Sequence, residues 1–156
     1  MATRSSAGIL VYRIVDDRVE VLLVHPGGPL WARKDAGAWS IPKGEFDAVT
    51  EDAEATARRE FGEETGQSPP NTLLSLGSVR QSGGKVVHAF AGEGDCDVTN
   101  VRSNTFEMEW PPRSRRMQAF PEIDRAAWFT LDEARARMLA SQRPLLDALV
   151  RTLSSR

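Results

Sequence analysis

Apolar residues in this chain come in short runs separated by polar turns, and the spacing within each run points to its secondary structure. Residues 7–14 and 19–24 are two largely unbroken apolar runs, the pattern of strands buried on both faces. Asp16-Asp17-Arg18 lies between them, so the pair reads as a hairpin. Residues 73–81 and 85–91 read as a second hairpin around Ser82-Gly83-Gly84. Residues 106–110 form a further strand, stopped by Pro111-Pro112, and residues 126–129 a last short one. Elsewhere the period is helical. Ala53, Ala57 and Phe61 recur every four residues behind Thr50, which reads as an N-cap, and Gly66 is placed to end the helix. Glu51, Asp52 and Glu54 fall in its first turn, where the helix dipole favours them. Residues 131–139 and 144–153 are the other helices, and Leu145, Leu146, Leu149, Val150 and Leu153 make a stripe suited to packing on a sheet. Strands, a helix, more strands and terminal helices imply an α/β or α+β fold around a mixed sheet.

At 156 residues the chain reads as one domain, residues 1–156, with room for a sizeable core. Its net charge of −2 carries no global basic signature, so nucleic acid is not the expected partner. Cys96 is the single cysteine, which rules out an internal disulfide and fits a reducing compartment. No apolar run approaches the roughly 20 residues of a membrane span, so a cytoplasmic location is expected. Asp95, Asp97 and Thr99 fail as a calcium loop, because Asn100 stands where that loop needs glycine.

The unusual chemistry lies at the end of the first predicted helix. Glu60, Glu63 and Glu64 are spaced i, i+3 and i+4, so they share a face beside the apolar stripe. Each carboxylate at the negative end of the dipole costs about 0.3–1 kcal/mol, and the like charges repel one another. Arg59 returns one positive charge. Either this is a solvated acidic face, or a divalent cation offsets the repulsion. Oxygen ligands without His or Cys suit Mg²⁺ or Mn²⁺.

Arg59-Glu60-Phe61-Gly62-Glu63-Glu64-Thr65-Gly66 resembles the core of the Nudix box, G-x5-E-x7-R-E-U-x-E-E-x-G-U, where U is apolar. Counting back, Glu51 takes the place of the first glutamate and Gly44 that of the opening glycine, with Trp39-Ser40-Ile41-Pro42-Lys43 similar to the usual lead-in. The chain departs from the pattern twice. Six residues separate Gly44 from Glu51 instead of five, and Gln67 replaces the final apolar residue. The resemblance implies the Nudix α/β/α sandwich. It also implies a metal site built from Glu60, Glu63 and Glu64, with the Gly44 carbonyl as a further ligand. By its offset from Trp128, Glu122 matches the family's additional carboxylate, a general base or outer ligand. Glu63 and Glu64 are alternative catalytic groups, and Arg59 is expected to orient a neighbouring glutamate.

Substrate contacts are read from position. Lys43 adjoins the carboxylates and suits a diphosphate oxygen. Trp31, with Arg33 and Lys34 beside it, either stacks a base and holds phosphates or covers the core. Lys85 and His88 lie on the second hairpin and either faces substrate or solvent. His25, at a strand end, is a structural residue or a ligand contact. Arg113-Ser114-Arg115-Arg116 reads as a solvated loop or a polyphosphate contact.

Together these features predict Mg²⁺-dependent (or Mn²⁺-dependent) hydrolysis of a diphosphate bond in a nucleoside diphosphate derivative. Trp31, Trp39 and the scattered basic residues favour a nucleoside or dinucleoside polyphosphate as the small-molecule partner. Oxidised nucleoside triphosphates, nucleotide sugars and RNA 5′ ends are the other substrates considered. A nucleotide-sensing module without catalysis, and an acidic metal-binding or interaction domain, are the non-enzymatic readings. Monomer and homodimer are equally compatible with the sequence.

Overall fold

The computed structural model describes residues 4–155. Its centre is β1 (Ser5–Val15), which is buried for most of its length because it has partners along both edges and helices on both faces. On one edge β1 runs parallel to β5 (Val86–Glu93), whose outer neighbour is antiparallel β4 (Leu74–Arg80). On the other edge two strands share it. The first half of β1 pairs antiparallel with β3 (Lys43–Phe46), and the second half with β2 (Arg18–Pro26), which in turn pairs with β8 (Ile123–Thr130). The result is a mixed six-stranded sheet.

Alternation along β1 sorts the core into two layers. Ala7, Ile9 and Val11 point to α1 (Ala53–Thr65), meeting Ala57 and Phe61. Leu10 and Tyr12 point the other way, to a core containing Ala134 of α2 (Leu131–Arg137) and Leu145, Leu146 and Leu149 of α3 (Pro144–Ser154). Helices on both faces explain why the β1 and β2 runs are apolar without a polar alternate. The fold is therefore the expected mixed-sheet sandwich. Among the described residues no helix is long and apolar enough to cross a membrane.

Two strands were not apparent in the sequence. One is β3; the other is β7 (Met117–Pro121), which pairs with β6 (Thr105–Glu109) in a separate two-stranded arm. The 113–116 stretch is the turn of this arm, and its arginines are exposed. The N-cap of α1 also differs from expectation. Asp52, not Thr50, has the extended cap conformation, and its side chain accepts the Ala55 N–H at 2.9 Å. Thr50 sits one turn earlier, in a loop closed by Asp47. Asp52→Ala is expected to lower stability by about 1 kcal/mol, with Thr50→Ala near neutral. Urea melts of the two variants check this, and the reverse order would return the cap to Thr50.

Candidate active site

The carboxylates of α1 meet the start of β3. Lys43 N–H donates to Glu64 Oε1 at 3.2 Å. The Glu60 carboxylate lies against Gly44, in space a β-carbon there would occupy, so a larger residue would displace it. Gly66 ends the helix in the left-handed conformation, φ 74°, returning its N–H to Gly62. Two further carbonyls of this last turn are satisfied from outside: Arg102 N–H donates to Thr65 and Asn104 N–H to Glu63, both at 2.9 Å. The helix end is thereby bolted to the root of the arm.

Around the carboxylates the charges are unbalanced. Burial raises the Glu64 carboxyl to about 8, opposed by the Lys43 N–H and ammonium and reinforced by Glu60 and Glu122. Glu60 is also raised, by burial first and then by the Glu63 charge. Arg59 answers only in part. It sits 3.4 Å from Glu51, 3.7 Å from Glu60 and 3.8 Å from Glu63. Glu51 Oε1 accepts the Asp47 N–H, so this residue ties the loop to the helix. Val49, in the same turn, is exposed.

Facing α1 across a cleft is Glu122, at the start of β8. Its carbonyl accepts the Gly27 N–H at 2.9 Å, and its N–H donates to Asn104 at 2.8 Å. This cleft, a cavity of about 250 Å³, is lined by Ile41, Lys43, Glu64, Trp31, Glu122 and Ile123 among others. Burial and the neighbouring Lys85 depress the Lys43 ammonium, while Glu64, Glu45 and Glu60 pull it back up.

The structure brings together Lys43, Gly44, Arg59, Glu60, Glu63, Glu64, Glu122 and Trp31. It leaves Arg33 exposed in its loop, outside the cleft lining. Lys85 is engaged 3.0 Å from Glu45, beside Arg4, at the outer end of β3. Trp39 corrects the sequence reading, which counted it towards nucleotide binding. It is buried, donates to Asp35 and packs edge-on against His25 and Phe129. His25 is fully buried too, with Nδ1 at 2.9 Å from Asp124 and Nε2 at 2.6 Å from the Lys34 carbonyl. It holds the 27–38 loop and the segment carrying Glu122 in place. Cleft residues the sequence did not single out include Phe106 and Met108 of β6, considered below.

The donor set suits a hard divalent cation. Glu60, Glu63 and Glu64 offer carboxylate oxygens, the Glu60 carboxylate lies against Gly44, and Arg59 approaches only two of the three, Glu60 and Glu63. Among the described residues no three such groups already converge on one point.

The NUDIX domain profile matches residues 3–149. No curated protein matches the chain. Solved structures share its fold at low identity. The NUDIX domain of Shewanella oneidensis NrtR, complexed with ADP ribose, is 19% identical with a TM-score of 0.65, covering 98% of this chain and 90% of that one. A C. elegans Ap4A hydrolase binary complex is 21% identical, also at 0.65, over 99% and 100%. MutT, studied from Aliivibrio salmonicida and Vibrio cholerae, is 12% identical at 0.57, over 97% and 98%.

Proposed function

Because this chain belongs to the Nudix family, we infer that it is a single-domain, divalent-metal-dependent hydrolase of diphosphate bonds in nucleoside diphosphate derivatives. One observation carries the reading: Glu64 at the end of α1, with Lys43 bonded to it, lines one cleft together with Glu122. A sensing module has no need to keep three mutually repelling carboxylates there.

Glu60, Glu63 and Glu64, with the Gly44 carbonyl, would hold the cation, which we take to be Mg²⁺ or Mn²⁺. When bound, such an ion neutralises diphosphate oxygens and makes water a better nucleophile. The chain supplies the rest. Lys43 offers a partly desolvated ammonium to a phosphate oxygen, where a charge-assisted hydrogen bond is strong. Arg59 restrains Glu60 and Glu63 rather than touching substrate. Glu122 stands on the opposite wall, exposed and within electrostatic reach of Glu60 and Glu64, and is the group we assign to accept the proton of the attacking water. Glu63 and Glu64 are the alternatives for that step. Within the substrate class we favour nucleoside and dinucleoside polyphosphates. We assign a cytoplasmic location. Cys96 is buried, its thiol pushed up to about 11, so nothing in its setting favours oxidation.

The test is phosphate and pyrophosphate release with Mg²⁺. The panel holds nucleoside and dinucleoside polyphosphates, oxidised nucleoside triphosphates, nucleotide sugars and triphosphorylated RNA. Turnover confined to one class names the substrate. Nucleotide binding with no turnover on any class would replace the hydrolase with a sensor.

A further inference from the structure

Next to the carboxylate cleft lies a second cavity of about 350 Å³, lined by Pro26, Gly27, Gly28, Leu30, Trp31, Phe106, Met108 and Glu122. Pro26, Trp31 and Glu122 line both, so the two form one continuous depression. A molecule with its diphosphate beside Lys43 and Glu64 reaches the second cavity without leaving the protein.

The walls of this cavity are mostly carbon. Burial alternates along β6: Thr105, Glu107 and Glu109 are exposed, Phe106 and Met108 half-buried. Neither Phe106 nor Met108 belongs to either hydrophobic core. Their partial burial comes from the arm, where Phe106 and Phe120 rings lie 6.0 Å apart, and from the cavity, where Phe106 lies over Gly28. Trp31 also lines the cavity, with the Lys34 ammonium 4.8 Å from its ring centre. Part of the backbone here is already engaged. Pro26 has no N–H, the Gly27 N–H is given to Glu122, and the Gly28 carbonyl accepts from Trp31.

We propose that this cavity holds the nucleobase of the substrate, stacked against Phe106 and Trp31, and that it reads the flat aromatic shape of the base rather than its hydrogen-bonding edge. The proposal rests on the reading of the carboxylate cleft as a diphosphate site. Stacking accepts any base, because every base has a π-face. Strong discrimination between adenine and guanine needs paired donors and acceptors, and the side chains lining the cavity offer only the Glu122 carboxylate and the Trp31 indole N–H.

Calorimetric binding of ADP, GDP and pyrophosphate, each with Mg²⁺, tests it on wild type, Phe106→Ala, Phe106→Leu and Phe106→Tyr. Phe106→Leu keeps an apolar side chain and removes the aromatic face, so it remains informative if the alanine variant folds poorly. ADP binding is expected to weaken by about 5- to 150-fold in the alanine variant, the range for removing one base–aromatic stack. The leucine variant should lose most of that, and the tyrosine variant should recover it. Pyrophosphate should bind all four alike, and ADP and GDP should stay within about tenfold of each other. Unchanged ADP affinity in the leucine variant overturns the proposal. So does a parallel loss of pyrophosphate binding, or a hundredfold preference between the purines. Failure of the pocket is separable from failure of the hydrolase. Turnover with Phe106-independent binding removes only the pocket. ADP binding that depends on Phe106, without any turnover, removes only the enzyme.

Discussion

Glu64→Gln is expected to lower kcat/KM by about a thousandfold, the upper range for removing one transition-state charge contact, while the metal-free protein folds at least as stably as wild type. Glutamine has almost the volume of glutamate and keeps an oxygen to accept the Lys43 N–H, so packing and the tie to β3 survive. What it removes is a charge whose cost is visible in the raised Glu64 carboxyl. Unfolded, that carboxyl titrates near 4.5; folded and without a cation, near 8. The folded state holds the proton more tightly. This contribution to stability is complete below pH 4.5, shrinks as pH rises and is lost above about 8. The glutamine variant does not titrate there. Its metal-free stability should therefore overtake that of wild type as the pH is raised, by at most several kcal/mol. Added Mg²⁺ should raise the wild-type melting temperature at pH 8 and leave the variant almost unmoved. Full Mg²⁺-dependent turnover by the variant, or an equal Mg²⁺ shift in both proteins, would remove Glu64 from the site.

Gly44→Ala is expected to raise the Mg²⁺ concentration for half-maximal activity by about 10- to 100-fold, the range seen when groups that orient metal ligands are disturbed. The added methyl lands where the Glu60 carboxylate lies, so that carboxylate has to move. Either Glu60 rotates off the site or β3 lifts from the helix, and both spoil the same oxygen set. Gly62→Ala is the control. It lies on the same helix between Glu60 and Glu63, its added methyl would meet nothing nearer than 3.8 Å, and it should add about 1 kcal/mol of stability through helix propensity. A Mg²⁺ titration of initial rates distinguishes the two variants. An unchanged midpoint in Gly44→Ala would mean that Glu60 does not need the position it holds here.

The carboxylates were readable from sequence because they break a local rule. Acidic residues crowd the wrong end of a dipole and adjoin an apolar stripe, and such conflicts survive where something compensates them. The buried strands were readable because both faces are covered, which leaves no polar alternate to confuse the pattern. β3 was not, since Lys43–Phe46 has no periodicity and owes its strand geometry to a distant partner, the start of β1. Trp31 and Trp39 look alike as letters. Only tertiary packing sends one to the cleft and the other beneath His25. Asp52 and Thr50 are both accepted as caps in isolation, Asp somewhat the better, and the Asp47 turn takes up Thr50. Phe106 and Met108 carried a weak signal, an alternating strand whose apolar face belongs to no predicted core.

The β6–β7 arm pairs only with itself. It is stapled internally, Gln118 to the Trp110 carbonyl and the Arg113 N–H to Glu109, both at 2.8 Å. It leaves the body after Asn104 and returns at Glu122, where one hydrogen bond closes the loop. Residues 105–121 therefore behave as a cassette. Their length and sequence can drift, or be grafted from another protein, without breaking a rung of the six-stranded sheet or moving a glutamate of α1.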